Sequence, residues 1–280
     1  MMRDKKVSII IPTFNEETTI EGCLSTLSRQ SYKNIEIIVV DDGSTDNTLS
    51  KVKIFPEVKI HKQNHQGPGP ARNLAAKYAK GEILVFVDAD MTFDRKFIEK
   101  LTLPIWEGKV IGTFSKEEFV ANKDNVWAAC WSINRGCPKD RMHPPNYPDE
   151  QPVFRAILKS EFNKVGGFDP IGYTDDWTLS KKLGILAKVA PGAIFYHRNP
   201  DNFPEIWRQA RWIGKNKFIT GSLVRKLWSL WVYGFPNSFR KAIQISITGG
   251  IPQFFVFKLW YDFAVFVSVL KSFFKEGKAK

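Results

Sequence analysis

The chain has 280 residues, of which 43% are hydrophobic and 25% are charged, and this balance excludes a disordered protein. Its three cysteines are odd in number and form no CxxC pair, which favours free thiols in a reducing compartment over a disulfide framework. The formal net charge is +12, but the first two-thirds of the chain is close to neutral, so the charge is concentrated in the C-terminal third.

The first hundred residues alternate between β-branched runs and amphipathic segments. Buried strands are predicted at Val7–Ile11, Ile35–Val40 and Ile83–Val87, with a weaker strand at Val58–His61. The first run is too short for a signal peptide and lacks a cleavage site. Helices are expected over Glu17–Arg29, over Thr45–Val52 with Ser44 or Thr45 as the cap, and over Pro70–Ala79. This alternation predicts an α/β fold with a mostly parallel sheet.

Each of the three strong strands ends in a polar segment, and these read PTFNE, DDGS and DAD. Ligands of such sheets bind beyond the carboxyl ends of the strands. We therefore expect one cleft at that edge, surrounded by five acidic residues: Glu16, Asp41, Asp42, Asp88 and Asp90.

Asp88 and Asp90 follow the third strand and are separated by one residue. Two carboxylates with this spacing could hold a divalent cation, Mg²⁺ or Mn²⁺, which would neutralise a diphosphate leaving group. The alternative is a polar transition from strand to turn that binds nothing.

Asp42 also has two interpretations. Its carboxylate could accept an N–H group of uracil or guanine, or it could belong to a helix-capping turn. The segment NHQGPGPARN that starts at Asn64 has two glycines that permit close backbone approach, and it opens a helix N-terminus suited to anions. Arg72 in this segment could reach the base or the phosphates.

The second half is less regular, with short strands predicted at Val153–Leu158, Lys188–Ala190 and Ala193–Tyr196. A carboxylate in Thr174-Asp175-Asp176 could act as a general base on an acceptor hydroxyl, or it could cap the helix that follows. His197 could be a third metal ligand or a hydrogen-bonded surface histidine.

Residues 208–212 read RQARW. On a helix, Arg208 and Arg211 would share a face. That face could clamp a diphosphate or a lipid phosphate, or it could be a solvated basic surface.

Together these segments resemble glycosyltransferase family 2, a large inverting family with the GT-A fold. The resemblance follows the chain in order through VSIIIPTFNEE, VVDDGSTDNT, N-x-x-G-x-G-x-ARN, VDAD, GGFDPIGYTDDWTLSKKL and RQARW. It implies an inverting transfer of a sugar from a nucleoside-diphosphate sugar to a hydroxyl or phosphate acceptor.

The resemblance also implies residue roles. The donor would be bound by Pro12, Phe14, Glu16, Asp42 on the base, Arg72 and Asp88. Asp90 would be the direct metal ligand, with Asp88 and His197 beside it. Asp176 would be the catalytic base, preceded by Asp175 where the family more often has Glu. RQARW resembles the Q-x-x-R-W motif of processive members, and Arg208 replaces the Gln before Arg211 and Trp212, so processivity is not implied. Phe14 stands where Tyr is frequent.

Three parts of the chain are expected: a nucleotide-sugar-binding half at 1–112, an acceptor-binding half at 113–221 and a tail at 222–280. Residues 205–280 carry 13 Lys and Arg against 3 Asp and Glu, and 17 aromatic residues. The longest uncharged run, Ala242–Phe257, is shorter than the roughly 20 residues of a spanning helix.

Helices lying in the membrane interface are therefore favoured for the tail, and one spanning helix or packing onto the catalytic core are the alternatives. The expected location is the cytoplasmic face of a membrane, with a lipid-linked or glycan acceptor and no nucleic acid.

Two other functions compete with sugar transfer. A sugar-phosphate nucleotidylyltransferase would have a Gly-rich basic loop after the first strand, where this chain has the acidic PTFNEE. A basic protein that binds nucleic acid or membrane without catalysis would not need the acidic cleft.

Overall fold

The structure, a computed structural model, describes residues 5–171 and 174–274. The chain forms two compact units, of which the first combines Met1–Ala121 with Asn146–His197 and the second combines Asn122–Pro145 with Arg198–Lys280. These units group the chain by packing, and the functional division at residues 112 and 221 stays a prediction. Gly172 and Tyr173 of the predicted GGFDPIGYTDD segment lie outside the described residues.

The first unit is built on an eight-stranded, mostly parallel sheet, as predicted. Its spatial order is β3-β2-β1-β4-β9-β6-β10-β8, and only the pairs that involve β9 or β8 are antiparallel. The strands are β1 (Val7–Thr13), β2 (Ile35–Asp41), β3 (Val58–Lys62), β4 (Ile83–Phe86), β6 (Gly112–Phe114), β8 (Glu150–Gln151), β9 (Ala156–Leu158) and β10 (Ala187–Val189).

A second sheet of three strands lies in the same unit, in the order β5-β11-β7. These strands are β5 (Met91–Phe93), β7 (Glu118–Val120) and β11 (Phe195–His197). The helices of the unit are α1 (Ile20–Ser28), α2 (Thr48–Val52), α3 (Pro68–Tyr78), α4 (Phe97–Trp106), α6 (Lys159–Lys164) and α7 (Thr178–Leu183), with a 3₁₀ turn at Asp175–Trp177.

The central strands are mostly apolar because both faces of the sheet are covered. Ile9 and Ile11 of β1 belong to the core on one face, with residues of α1 and α4. Ile10 belongs to the core on the other face, with residues of α3. The register pairs Thr13 with Asp41 across β1 and β2, so the polar segments after these strands meet at one edge.

Helix α2 begins later than predicted, at Thr48, and neither Ser44 nor Thr45 caps it. The Oγ of Ser44 instead accepts the backbone N–H of Asn15 at 3.0 Å. The backbone N–H of Thr45 donates to Oδ1 of Asn15 at 2.8 Å. These bonds tie the loop after β2 to the loop after β1. Asn15 adopts a left-handed backbone with φ of 57°, which asparagine tolerates better than most residues.

The second unit is helical. It contains α5 (Val126–Asn134), α8 (Phe203–Ile213), α9 (Lys217–Thr220), α10 (Leu223–Val232), α11 (Phe235–Thr248) and α12 (Gln253–Phe274). One face of α12 is buried in the core of this unit through residues such as Phe254, Phe257 and Val265. On the same face, Lys258 Nζ donates to Asp262 Oδ1 at 2.8 Å, so two charged residues are buried as a pair.

Glu36 of β2 is buried and accepts hydrogen bonds from the Ser8 hydroxyl and the Lys59 ammonium, both at 2.6 Å. Burial raises the pKa of Glu36, but the hydrogen bonds from Lys59, Ser8 and the Lys80 backbone outweigh it and lower the pKa from 4.5 to about 2. A lowered folded-state pKa contributes stability above the unfolded value of 4.5, and this stability is lost as the pH falls through about 2.

Glu36→Gln is therefore expected to lower the free energy of unfolding at pH 7 by about 1–3 kcal/mol, with the deficit shrinking between pH 4.5 and 2. Urea titrations at several pH values measure this. The matched control is Glu82→Gln, whose side chain is 54% exposed in its ion pair with Lys5. The control should change stability by no more than about 0.5 kcal/mol. A deficit for Glu36→Gln that does not change with pH would contradict the assignment.

Candidate active site

A carboxylate held by two arginines lies at the carboxyl edge of the sheet. Asp88 follows β4, and its Oδ1 accepts from Arg72 of α3 at 2.7 Å. Its Oδ2 accepts from Arg155, which immediately precedes β9, at 3.2 Å. Burial raises the pKa of Asp88, but the two guanidinium groups outweigh it and hold this pKa well below its usual range. Asp88 is therefore an anion at any physiological pH.

Arg72 also connects this edge to the 3₁₀ turn. Its Nη1 donates to Oδ1 of Asp175 at 3.2 Å, across 103 residues of sequence. A Cβ at Gly69 would lie 2.7 Å from the other carboxylate oxygen of Asp175. The absence of a side chain at Gly69 therefore allows the Asp175 carboxylate to approach the backbone closely, as predicted for a glycine here, although the approaching group is a protein side chain. The sequence-predicted residues Arg72, Asp88 and Asp175 thus form one cluster.

Asp176 is the next residue of the turn, and its environment differs from that of Asp88. Burial raises the pKa of Asp176 to about 6; Arg72 opposes this shift and the adjacent Asp175 adds to it. Its Oδ1 is buried and has no hydrogen-bond partner among the described residues. A carboxylate with this pKa accepts a proton readily near neutral pH, which is what a general base requires.

Asp42 follows β2 and orders the loop that precedes α3. Its Oδ1 accepts from Gln63 Nε2 at 2.7 Å and from the backbone N–H of Gln66 at 2.8 Å. Its Oδ2 accepts from the backbone N–H of Gly67 at 2.8 Å and lies 3.0 Å from His65 Nδ1. The carboxylate thus accepts three hydrogen bonds from this loop, and a carboxylate has about four acceptor positions. The hydrogen bond of His65 Nδ1 goes to the backbone oxygen of Asp42. The role of Asp42 toward a base stays a prediction.

The predicted donor residues Pro12, Phe14 and Glu16 lie on β1 and the loop that follows it. Pro12 is buried in the strand. The Phe14 ring packs against the His65 ring with centroids 3.9 Å apart. The carboxylate of Glu16 accepts from the Thr19 hydroxyl at 2.7 Å. All three residues lie on the same edge as Asp42.

Asp90 forms a second acidic cluster with His197, which the pairing of β11 with β5 brings close. His197 Nε2 lies 3.1 Å from Asp90 Oδ2, and its Nδ1 lies 2.6 Å from Glu118 Oε1. Burial lowers the pKa of His197, but the carboxylates of Asp90 and Glu118 outweigh it and raise the pKa to about 10. Here His197 is a cation between two carboxylates.

Of the three predicted metal ligands Asp88, Asp90 and His197, Asp90 is the one that fits a divalent cation best. Within residues 5–171 and 174–274, no group of three or more His, Cys, Asp or Glu side chains is arranged to hold a metal. Oδ1 of Asp90 is nevertheless buried without a hydrogen-bond partner in the described part of the chain. Each oxygen of Asp88 already accepts one hydrogen bond from an arginine, and His197 must lose its proton before it can bind a metal.

The RQARW motif lies on α8 in the second unit. Arg208 is exposed, whereas Arg211 and Trp212 are partly buried. Nε of Arg211 is buried, and no described residue accepts from it. The role of these residues as a phosphate clamp stays a prediction.

Sequence reasoning missed Arg155 and Glu118. Arg155 had a detectable signal, because it is the one charged residue in the predicted strand VFRAIL, and a charge in a buried strand needs a partner. Glu118 had none, since its partner His197 is 79 residues away in sequence.

Comparison with known proteins agrees with this geometry. The family model described as Glycosyl transferase family 2 matches residues 8–166. UDP-Glc:alpha-D-GlcNAc-diphosphoundecaprenol beta-1,3-glucosyltransferase WfgD of Escherichia coli is 42% identical over 128 residues, which is 45% of this chain and 51% of that protein. Glycosyltransferase GlyG of Streptococcus pneumoniae is 35% identical over 211 residues, which is 65% of this chain and 66% of that protein. The chain thus spans about half to two thirds of the length of these relatives.

Among solved structures, the mannosyltransferase PcManGT from Pyrobaculum calidifontis, in complex with GDP-Man and Mn²⁺, superimposes with a TM-score of 0.60. The likeness covers 95% of this chain and 87% of that one at 21% sequence identity, so it concerns the fold alone. The predicted GT-A fold is confirmed. The extent of the family match and the named relatives place this chain in glycosyl transferase family 2, and it is a glycosyltransferase.

Proposed function

We propose that the chain transfers a sugar from a nucleoside-diphosphate sugar to a hydroxyl or phosphate group of a lipid-linked or glycan acceptor, with inversion, at a membrane surface. The observation that carries the proposal is Asp176, whose carboxylate has a pKa of about 6 and an unpartnered buried oxygen beside the Arg72–Asp88 pair. The names of the relatives support it, since PcManGT is bound to GDP-Man and WfgD uses UDP-Glc and a diphosphoundecaprenol acceptor.

The nucleoside would lie against β1 and the loop before α3, between Pro12, Phe14, Glu16 and Asp42. The paired rings of Phe14 and His65 offer an apolar surface to a base. The carboxylate of Asp42 accepts three hydrogen bonds from the loop, so about one acceptor position is left for an N–H group of the base. Asp42 would bind the base at that position.

The arginine pair would act on the charge of the donor. Arg72 is buried and Arg155 is partly buried, and both donate to Asp88, while Arg72 also binds Asp175. A diphosphate that arrives at this edge meets fixed guanidinium donors that need no reorganisation.

A divalent cation, Mg²⁺ or Mn²⁺, would be held by Asp90, with His197 as a second ligand once it is deprotonated, and would neutralise charge on the diphosphate leaving group. Asp88 would contribute through the acceptor positions that the two arginines leave open. The Mn²⁺ in the PcManGT complex supports a divalent cation.

Asp176 would take the proton from the acceptor hydroxyl as the oxygen attacks the anomeric carbon. A single in-line displacement inverts the configuration at that carbon. Asp175 would hold the turn in place through Arg72, to which its Oδ1 is bound. Its Oδ2, like Oδ1 of Asp176, is buried without a hydrogen-bond partner among the described residues, so Asp175 is the second candidate for the base.

The tail would bring this reaction to a membrane. Of the described residues, one helix, α12, is long and apolar enough to span a bilayer, with a mean hydropathy of 1.5 over its best window. Half of that window is buried inside the protein, and the helix contains the Lys258–Asp262 pair. This arrangement supports an interfacial position over a spanning one, and the cytoplasmic side is part of the proposal.

Asp176→Asn is expected to reduce transfer by about 10²–10⁴-fold, because the amide cannot accept the proton. Donor affinity should stay within about twofold, since a nearly isosteric amide leaves the packing intact. Transfer from UDP-Glc to the diphosphoundecaprenol-linked GlcNAc named for WfgD, and from GDP-Man, is measured beside calorimetric donor binding. Asp169→Asn, at an exposed pair with Lys182, is the control. If Asp176→Asn transferred sugar at the wild-type rate, Asp176 would not be the catalytic base.

The pH dependence of the wild type follows from the same residue. A base with a pKa of about 6 is protonated at lower pH, so kcat/KM should fall about tenfold per pH unit below about 6 and level off above it. A profile that is flat from pH 5 to 8 would argue against Asp176.

Asp42→Asn is expected to weaken the loop before α3, since an amide oxygen replaces only part of the four contacts. The backbone N–H groups of Gln66 and Gly67 should exchange with solvent at least about tenfold faster, and donor affinity should fall in parallel. Hydrogen exchange with and without UDP measures both effects. Asp46→Asn, at the next loop, is the comparison. Unchanged exchange at Gly67 would contradict the role of Asp42 in ordering this loop.

Asp90→Asn is expected to weaken Mn²⁺ binding by at least about tenfold, because it removes the charged ligand. Electron paramagnetic resonance of free Mn²⁺, titrated with protein and UDP, measures binding without turnover. Asp94→Asn, at an exposed carboxylate beyond β5, is the control. Equal Mn²⁺ affinity of both variants would place the cation elsewhere.

A further inference from the structure

An apolar groove runs along the outer side of α11 and α12 in the second unit. Its volume is about 550 Å³. Phe235 at the start of α11 forms one wall, and Val256, Leu259, Phe263 and Phe266 of α12 form the other. This volume lies in the range of cavities that bind small ligands, about 300–1,000 Å³.

Most of the groove wall is apolar, and three of its residues have a hydrogen-bonding side chain: Tyr233, Ser238 and Trp260. Ser238 donates to Asp262 Oδ2 at 2.6 Å, and the indole N–H of Trp260 donates to the backbone oxygen of Phe203 at 3.1 Å. The phenol of Tyr233 is the remaining polar group. Elsewhere along the groove, a polar ligand group would lose its water without gaining a partner, so the occupant that fits there is a hydrocarbon.

The rim of the groove is apolar and exposed, and α10 of the same unit also has exposed aromatic side chains. Phe235 is 70% exposed and Phe263 is 53% exposed, while Trp228 and Trp231 of α10 are 63% and 61% exposed. Exposed apolar side chains in this number are typical of a surface that binds a partner or a membrane. Trp and Phe with adjacent basic residues are typical of segments that rest at the boundary of headgroups and acyl chains.

The charge of the surface around the groove indicates which kind of partner it binds. Between Leu223 and Phe274 the only acidic residue is Asp262, which is buried and paired with Lys258. The exposed charges of this stretch are therefore all positive, as at Arg225, Arg240 and Lys271. A second copy of this chain would oppose like charges across such a surface, whereas anionic headgroups would complement them.

We propose that this groove binds one hydrocarbon chain of an anionic membrane lipid, while the aromatic rim lies among the headgroups. The inference deepens the membrane setting given under the proposed function and rests on it. Binding of one chain would fix the second unit on the membrane more firmly than adsorption of its surface.

The test uses the full chain and a phosphatidylglycerol with short acyl chains, one of which ends in a diazirine, dispersed as a monomer. Irradiation and peptide mapping should place the label on the groove-lining segment of α12. Val256→Trp fills the groove from a position that is 51% exposed, and it should reduce this labelling at least about fivefold. Val224→Trp is the matched control, at a position on α10 that is 76% exposed and outside the groove.

Val256→Gln is a second variant that puts an amide at the mouth of the groove without adding bulk, and it should also reduce labelling. Unlabelled phosphatidylglycerol should compete, whereas glycerophosphoglycerol, the headgroup alone, should not. Labelling that persists in both Val256 variants, or that the headgroup alone abolishes, overturns the proposal. Analytical ultracentrifugation tests whether a second copy of the chain covers the groove. A wild-type dimer that Val256→Trp dissociates would also overturn the proposal.

Separate measurements keep the proposals distinct. Flotation with phosphatidylcholine vesicles, with and without phosphatidylglycerol, tests membrane docking, and transfer assays test catalysis. The monomeric probe requires neither vesicles nor a sugar donor. If the wild type is not labelled in the groove, only the proposal of lipid binding in the groove is refuted. Failed flotation refutes membrane docking, and failed transfer refutes the proposed catalysis.

Discussion

The site depends on one partly buried carboxylate and the two arginines that hold it. A charge that is withdrawn from water at the edge of a sheet is costly unless it is paired and hydrogen-bonded. Asp88 is paired on both oxygens, by Arg72 from α3 and by Arg155 from the chain entering β9. Because Arg72 also holds Asp175, this set of ion pairs joins four segments of the chain at one edge.

That arrangement separates the acid–base properties of neighbouring carboxylates. Asp88 faces two cations and stays ionised, whereas burial raises the pKa of Asp176 to about 6. Asp90 faces the cationic His197 and keeps one oxygen unpartnered among the described residues. Three aspartates in one unit thus have three environments, and the proposed division into donor, metal and base roles follows from environment rather than residue type.

In the second unit, the buried face of helix α12 is mostly apolar but contains two charged residues. These residues, Lys258 and Asp262, are buried as an ion pair. Ser238 of α11 completes this pair, so the hydroxyl of Ser238 is bound within the protein and not offered to the groove. The exposed residues of α10 to α12 include aromatic, aliphatic and basic side chains and no acidic one, and an anionic lipid surface complements this composition.

The sequence by itself determined the parallel sheet, the edge where the acidic segments meet and the family, because strand runs and loop motifs are local in the chain. It placed Asp42, Asp88 and Asp90 near ligand-binding strand ends, and Asp176 at the start of a helix. Only the tertiary structure decided that Asp42 holds its neighbouring loop by three hydrogen bonds, that Arg155 holds Asp88, and that the segment before α2 is bound to Asn15. It also decided the sheet that joins β5, β7 and β11. Contacts between residues 67 to 107 positions apart leave no periodic trace, since they arise only when separate strands come to share one edge.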